Sequence, residues 1–164
     1  MENVFLSLGS NLGDRNSYLQ YACQMIEQRI GVVEHKSSVY ESAPWGYVSN
    51  NFFYNQVLQI QCNIEALELL SNLQQIEHEL GRERYASHYV DRTLDIDILF
   101  FGEQVISLPQ LTVPHPYITQ RRFVLEPFSE IAPFFIHPVL KLTIQQLLEQ
   151  CEDKSFIRKL ESTT

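Results

Sequence analysis

The sequence predicts an α+β fold with the ferredoxin-like β-α-β-β-α-β order, in which an antiparallel sheet carries its helices on one face and a C-terminal helical extension follows. Two observations lead to this fold class. Segments with apolar residues at every second position alternate with segments whose apolar residues recur every three or four positions. Glycines follow both predicted helices, at Gly31 and Gly81, where helices commonly end. Because 164 residues suit a single core, we expect one domain over residues 1–164.

Each element follows from its local period and its flanking residues. The apolar stripe of the first helix is Leu19, Ala22, Cys23, Ile26 and Ile30, and that of the second is Ala66, Leu70, Leu73, Ile76 and Leu80. In chain order we predict a strand over residues 4–8, a helix over 14–29, strands over 32–40 and 52–62, a helix from a cap at Asn63 to residue 80, a strand over 92–101, and a helix near 143–152.

The last predicted strand carries two aspartates on one face. Leu94, Ile96, Ile98 and Phe100 alternate with Asp95 and Asp97, so a regular strand places the carboxylates side by side. Strands disfavour aspartate, and like charges on one face repel each other. A divalent metal such as Mg²⁺ would relieve that repulsion. An edge strand that faces water, or pairing of the carboxylates with nearby arginines, explains the pattern as well.

Composition narrows the classes of function and the expected location. The net charge of −8 argues against nonspecific binding to nucleic acid or to an anionic membrane. The sequence has no apolar run long enough to span a bilayer and no basic leader. Three widely spaced cysteines fit a reduced compartment better than a disulfide framework. We therefore expect a cytoplasmic protein with no nucleic-acid and no membrane partner.

The positive charge is unevenly distributed. All four lysines lie outside residues 37–140, a stretch that holds five arginines. Arginine offers a planar fork for phosphate or carboxylate, so this stretch favours a local anion site, although surface ion pairs remain an alternative. Two long connections, residues 41–51 and 81–91, have the length of binding loops. Trp45 on the first of them can cover a flat ligand or pin its loop to the core.

Four motifs stand in order along the chain: RTLDIDI at 92–98, LTVPH at 111–115, RRFVLEP at 121–127 and EIAP at 130–133. Together they resemble the 6-hydroxymethyl-7,8-dihydropterin pyrophosphokinase family. They cover the chain from the first strand to about residue 150, in the family's order and spacing, and the opening GSNLG at residues 9–13 fits as well. The family transfers an intact diphosphate from ATP to the hydroxymethyl group of a reduced pterin, which yields AMP and a precursor of folate.

The resemblance implies roles for the polar residues toward ATP. Asp95 and Asp97 would hold two Mg²⁺ ions, and Arg82 and Arg92 would join them as catalytic residues by neutralising phosphate oxygens. His115 and Arg121 would contact the phosphates as well. The nucleotide-binding set that the resemblance implies is Gln74, Glu77, Arg84, Arg92, Ile98 through its backbone, Thr112, His115 and Arg121.

The resemblance also implies a pterin site, and we expect the protein to be a monomer. Phe53 and Phe123 would stack on the two faces of the ring, and Asn55 would hydrogen-bond its edge. Groups at Ser42, Ala43 and Trp45 would complete recognition, with Asp95 at the reacting end. The sequence departs from the family pattern at Tyr89-Val90-Asp91, where Trp-Gly-Pro often stands. We expect this change to add negative charge near the phosphates and to alter the rigidity and closing of the arginine loop.

Other functions compete with this one. An RNA-binding module of the same fold would place stacked aromatics in basic surroundings, unlike this acidic chain. A regulatory module that binds a small ligand would not need paired metal carboxylates. A different phosphoryl-transferring enzyme is the stronger rival, although the sequence has no Gly-x-x-x-x-Gly-Lys loop.

Overall fold

The computed structural model describes residues 1–81 and 91–161. Its main sheet has the order β5-β1-β4-β3-β8, with β2 also paired to β4, and all its pairings are antiparallel. A second sheet pairs β6 with β7. The strands are β1 (Glu2–Ser10), β2 (Val33–Lys36), β3 (Tyr40–Ser42), β4 (Phe53–Cys62), β5 (Asp95–Phe101), β6 (Ile106–Ser107), β7 (Thr112–Val113) and β8 (Ile157–Lys159); the helices are α1 (Arg15–Arg29), α2 (Ala66–Glu79), α3 (Arg122–Ile131) and α4 (Ile144–Gln150), with a 3₁₀ turn at Ile118–Gln120.

The predicted fold class is confirmed. If β2 and β3 are taken together as the second strand, the sheet order is fourth, first, third, second, which is the arrangement expected of the β-α-β-β-α-β order. Two helices, α1 and α2, pack on one face of this sheet through an apolar core. That core includes Leu6 and Leu58 from the strands, Leu19 and Ile26 from α1, and Leu73 from α2.

The predicted strand over residues 32–40 is wrong as a single element, because the chain leaves the ladder between β2 and β3. Lys36 pairs with Leu58 while Tyr40 pairs with Asn55, so the segment between them holds one residue more than its partner. The Ser37 hydroxyl accepts a hydrogen bond from the Val57 amide and so takes a place in the ladder. A side chain that competes for a backbone donor therefore divides the strand.

The predicted position of Phe100 is also wrong. Phe5 pairs with Phe100 and Leu6 with Ile98, so Leu99 is an extra residue in β5. This bulge reverses the alternation, and Leu99 and Phe100 both join a second core on the opposite face of the sheet. That second core lies under α3 and α4, whereas Phe101 returns to the core beneath α1 and α2.

The helix ends differ in part from the predictions. Asp14 caps α1 by accepting a hydrogen bond from the Ser17 amide, and Gly81 follows α2 with a positive φ of 96°. The cap predicted at Asn63 is wrong, because α2 begins after Glu65, whose side chain makes no capping hydrogen bond. The predicted helix near residues 143–152 is observed as the shorter α4, which begins with a capping box between Thr143 and Gln146.

No helix among the described residues is long and apolar enough to cross a membrane. The three cysteines are all free thiols; Cys62 and Cys151 are buried and Cys23 is partly buried. They pack in the two cores like small hydrophobic residues, as the sequence predicts.

Candidate active site

A pocket opens on the face of the sheet opposite α1 and α2, beside the core that α3 and α4 cover. The strands β1, β3, β4 and β5 form its floor, and loop and helix residues form its walls. The residues that line it are Ser7, Gly9, Ser42, Ala43, Trp45, Phe53, Asn55, Arg92, Asp95, Asp97, Arg121 and Phe123. All seven residues that the sequence analysis assigns to the pterin, Asp95 among them, therefore lie in one pocket, together with Asp97 and two of the arginines.

Gly9 sits at the centre of the pocket floor. It pairs with Asp95 on one side and with Asn55 on the other, so these three residues form one row across the sheet. A side chain at Gly9 would come within 3.4 Å of Asn55 Oδ1 and 3.5 Å of the Phe53 ring. The glycine therefore leaves space above the sheet between the aspartate and the aromatic residue.

Asn55 is held in one orientation at the other end of that row. It is buried, and its Nδ2 donates to Ser42 Oγ at 2.7 Å and to the Tyr40 carbonyl at 3.4 Å. These contacts place Oδ1 on the side of Gly9. The pocket thus presents a fixed acceptor beside an aromatic ring.

The two aspartates lie among cationic and imidazole side chains. Arg92 Nε is 3.5 Å from Asp95 Oδ2, and Arg121 Nη1 is 3.9 Å from Asp97 Oδ2. Arginine pairing, one of the explanations that the sequence leaves open, is therefore present. Burial first, and the neighbouring Asp95 carboxylate second, still raise the pKa of Asp97 to about 7. The arginines only partly offset the repulsion, so the pair favours additional positive charge.

His115 faces Asp97 as a neutral imidazole. Burial and the nearby Arg121 lower the pKa of His115 to about 4, and its Nδ1 accepts a hydrogen bond from the Tyr117 amide. The proton of the neutral ring therefore sits on Nε2, which lies 4.0 Å from Asp97 Oδ2. This arrangement presents an N–H donor at the edge of the aspartate pair.

Arg121 is held by aromatic rings. Its guanidinium lies over Trp45 at 4.6 Å, Tyr117 at 5.3 Å and Phe123 at 5.7 Å from the ring centroids. Its buried Nε has no hydrogen-bond partner among the described residues. A buried donor of this kind is costly unless a ligand satisfies it, so the geometry suits an anion.

The other predicted nucleotide-binding residues that the structure describes lie outside the pocket lining. Gln74 and Thr112 are exposed, and the Ile98 side chain is buried in the core beneath α1 and α2. Glu77 is buried and accepts a hydrogen bond from the Ile96 amide at 2.9 Å, so it ties α2 to β5. The predictions for Arg82 and Arg84 fall outside the described residues.

The sequence analysis missed two residues of the pocket floor and one network at its edge. Ser7 pairs with Asp97 as Gly9 pairs with Asp95, and the alternation of the first strand could have indicated both. Asp91, expected near the phosphates, does not line the pocket and instead accepts hydrogen bonds from Asn11, Tyr47, Ser49 and Asn51. No local pattern links these residues, since they are distant in the sequence.

Within residues 1–81 and 91–161 no cluster of three or more His, Cys, Asp or Glu side chains has a geometry that could hold a metal ion. Asp95 and Asp97 supply two carboxylates, which are the oxygen ligands that Mg²⁺ prefers. Two protein ligands leave most of an octahedral shell to water and phosphate oxygens. The donor set therefore fits a cation shared with a phosphorylated substrate.

Comparisons with known proteins agree with this site. A family model described as 7,8-dihydro-6-hydroxymethylpterin-pyrophosphokinase matches residues 5–133. Relatives named 2-amino-4-hydroxy-6-hydroxymethyldihydropteridine pyrophosphokinase include one from Bacillus subtilis, 44% identical over 80% of this chain and 79% of the relative. Another from Porphyromonas gingivalis is 42% identical over 84% of this chain and 95% of its own length. A third from Aquifex aeolicus is 38% identical over 95% and 96%.

A solved structure supports the fold. The crystal structure of Plasmodium falciparum HPPK-DHPS wild type with pteroate superposes with a TM-score of 0.74 at 19% identity, over 91% of this chain. The matched region is only 42% of that longer protein. The family model and the three relatives, each above 35% identity, show that this chain belongs to the 7,8-dihydro-6-hydroxymethylpterin-pyrophosphokinase family of folate-biosynthesis enzymes.

Proposed function

We propose that the pocket binds 6-hydroxymethyl-7,8-dihydropterin and that Asp95 and Asp97 align it with the magnesium complex of ATP. The observation that carries this assignment is the single pocket in which an aromatic, amide-bearing half adjoins a half with two carboxylates and two arginines. A flat, polar-edged ring suits the first half, and a polyphosphate with its cations suits the second. The hydroxymethyl group would lie where the two halves meet.

The pterin half recognises the ring by stacking and by one fixed acceptor. Phe53 and Phe123 line the pocket and are proposed to stack on the two ring faces, with Trp45 and Ala43 closing one side. Asn55 Oδ1 is proposed to accept an N–H of the pyrimidine edge, because Ser42 and Tyr40 already engage its amide nitrogen. This division of roles gives the amide one productive orientation.

The phosphate half binds charge. Asp95 and Asp97 are proposed to hold two Mg²⁺ ions, which when bound would neutralise phosphate oxygens and favour loss of the hydroxyl proton. Arg92, Arg121 and the Nε2–H of His115 are proposed to bind the phosphates directly. The proposed nucleotide set also includes Arg82 and Arg84, and, around the base and ribose, Gln74, Glu77, Thr112 and the backbone at Ile98.

The reaction is an in-line displacement at the β-phosphorus of ATP. The hydroxymethyl oxygen forms the new P–O bond while the bond from the β-phosphorus to the oxygen bridging the α-phosphorus breaks. AMP leaves with that electron pair, and the hydroxyl proton passes to water. The residues of the pocket orient the two substrates and exclude competing water, the main contributions in phosphoryl transfer.

Product analysis tests the proposed function. The protein is incubated with MgATP, with and without the reduced pterin, and the nucleotides and pterins are separated by chromatography. We expect AMP only in the presence of the pterin, in equal amount to the pterin diphosphate. Formation of ADP, or hydrolysis of ATP without the pterin, would contradict the proposal and indicate another phosphoryl-transfer reaction.

Two companion experiments control for contamination and for assembly. The Asp97→Asn variant, purified in the same way, should form no AMP above a few per cent of the unmodified rate. We also propose that the protein is a cytoplasmic monomer. Light scattering should therefore give the mass of one chain, 19.2 kDa. A concentration-independent dimer mass would overturn that part of the proposal.

A further inference from the structure

Asp91 is the centre of a hydrogen-bond network at the edge of the pocket. Its Oδ1 accepts hydrogen bonds from Asn11 Nδ2 at 2.8 Å and from the Tyr47 hydroxyl at 3.0 Å. Its Oδ2 accepts from Ser49 Oγ at 3.0 Å and from Asn51 Nδ2 at 2.7 Å. Burial opposes the charge, but these four hydrogen bonds outweigh it and lower the pKa of Asp91, so the carboxylate is ionised at neutral pH.

The same network also forms hydrogen bonds with the backbone of the residue that follows Asp91. Asn11, directly after β1, accepts a hydrogen bond from the Arg92 amide at 2.7 Å and donates its own amide to the Arg92 carbonyl at 3.0 Å. Asn11 Nδ2 also contacts the Asn51 carbonyl at 3.1 Å and the Tyr47 hydroxyl at 3.0 Å. Asn11 thus joins the end of β1 to two chain segments, one with Asp91 and Arg92 and the other with Tyr47 and Asn51.

Each segment carries a residue of the pocket wall. Residues 43–52, here called the Trp45 loop, hold Trp45, whose ring lies against the Arg121 guanidinium. Arg92 lies on the other segment, next to Asp91, and pairs with Asp95. One carboxylate therefore connects the wall proposed for the pterin to the arginine proposed for the phosphates.

We propose that Asp91 is a positioning residue that fixes the Trp45 loop against the Asn11–Arg92 backbone and so sets the affinity of the pocket for the reduced pterin. The inference rests on the proposed function for the identity of the ligand. The placement of the Trp45 loop by Asp91 does not depend on the identity of the ligand, because the position of that loop can be measured without substrate. Charge matters here since all four partners act as donors, and a carboxylate supplies the acceptors for them.

The test compares Asp91→Asn with the unmodified chain. Asparagine keeps the shape but replaces one acceptor oxygen with an NH₂ group that faces another donor, so the Trp45 loop loses part of its attachment. We expect KM for the pterin to rise about tenfold at saturating MgATP, with kcat changed less than twofold. Trp45 is the only tryptophan of the chain, and acrylamide should quench its fluorescence more strongly in the variant.

Two further variants separate positioning from general loss of stability. Ser49→Ala removes one of the four hydrogen bonds and should shift KM and quenching in the same direction by a smaller amount. Glu130→Gln is the matched control, because Glu130 likewise accepts hydrogen bonds from the Ser38 amide and the Tyr40 hydroxyl but lies away from the Trp45 loop. It should lower the unfolding temperature and leave the quenching of Trp45 unchanged.

The outcomes are distinct. Unchanged quenching in Asp91→Asn overturns the inference, whether or not the protein acts on a pterin. Increased quenching with an unchanged KM for the pterin also overturns it, because the loop would then move without affecting the ligand. A fall in kcat with an unchanged KM for the pterin also overturns the inference, and it indicates a role of Asp91 in the phosphate step. If neither the unmodified chain nor Asp91→Asn forms AMP, the proposed function fails. The quenching of Trp45 fluorescence then decides by itself whether Asp91 fixes the Trp45 loop.

Discussion

The two faces of the β-sheet use the same strands for different purposes. On the face toward α1 and α2, Ile96 and Ile98 of β5 are buried in a continuous apolar core with Leu94, which directly precedes the strand. On the opposite face, Asp95 and Asp97 of the same strand line the pocket. Successive side chains of a strand point to opposite faces, so a shift of one position separates residues that stabilise the fold from residues that bind ligands.

The opposite face is itself divided. Near the bulge at Leu99 it is covered by α3 and α4, and it becomes a second apolar core around Phe100 and Phe128. Toward the start of β5 it stays open and collects charged, amide and aromatic groups. The rigid apolar layers on both sides therefore support the open part, which explains how a half-buried pair of carboxylates keeps a fixed geometry.

The largest contrast is expected at Asp97. Replacing it with alanine should lower kcat by about 1,000-fold, because a ligand of the proposed cations is lost and their contribution amounts to several kcal/mol. The free energy of unfolding should stay the same or rise, since the repulsion from Asp95 disappears. Steady-state kinetics and urea denaturation measure the two effects, and normal turnover with lower stability would reverse the comparison.

The adjacent residue should behave in the opposite way. Ile96 points into the core and is 5% exposed, so Ile96→Ala should lower the free energy of unfolding by about 2–5 kcal/mol. At a temperature where the variant remains folded, kcat should stay within about threefold of the unmodified enzyme. A loss of activity as large as that of Asp97→Ala would show that the two faces are not independent.

Substitutions of two glycines, with effects of intermediate size, further test the difference between the pocket face and the rest of the fold. Gly9→Ala places a methyl group over the pocket floor near Asn55 and Phe53, so it should raise KM for the pterin about tenfold with little change in stability. At Gly31 an added Cβ would lie 1.9 Å from the Gln61 carbonyl oxygen. Gly31→Ala should therefore destabilise the fold by about 1–3 kcal/mol or more and leave KM unchanged in the folded fraction. Equal KM values for Gly9→Ala and the unmodified enzyme would contradict the ligand position.

The smallest expected effect is the pH dependence of stability in the ligand-free protein. The pKa of His115 is about 4 in the folded state, below its ordinary value of 6.5, so its contribution to stability falls as pH decreases from 6.5 to 4. The pKa of Asp97 is about 7, above its ordinary value of 3.8, so its contribution rises over the same decrease in pH. The two contributions oppose each other between pH 4 and pH 6.5.

Single variants should reveal each contribution. Relative to the unmodified chain, Asp97→Asn should make stability fall more steeply with decreasing pH, and His115→Gln should make it fall less steeply. The upper bound for each change is about 1.4 kcal/mol per pH unit, reduced by the partial exposure of both side chains. Urea denaturation at several pH values measures the slopes, and changes of the same sign in both variants would contradict these assignments.

The sequence by itself determined the longest strands, the two helices on one face of the sheet and the chemistry of the Asp95–Asp97 strand. Period-two alternation identified β4 and the first part of β5, and period-3.6 stripes identified α1 and α2, because these patterns depend only on local backbone geometry. The Asp95–Asp97 pair was visible for the same reason. The resemblance to a known family then supplied a set of pterin residues, all of which the structure brings into one pocket.

Only the tertiary structure decided features that depend on contacts between distant segments. The bulge at Leu99, which places Phe100 under α3, arises from the register between β5 and β1. The break between β2 and β3 arises from a serine that bonds to β4. Asp91 gains its four partners from residues 40 to 80 positions away, and its role as a network centre exists only once β1, the Trp45 loop and β5 are assembled. Local patterns fix which face a side chain takes, whereas hydrogen-bond partners and register are fixed by packing.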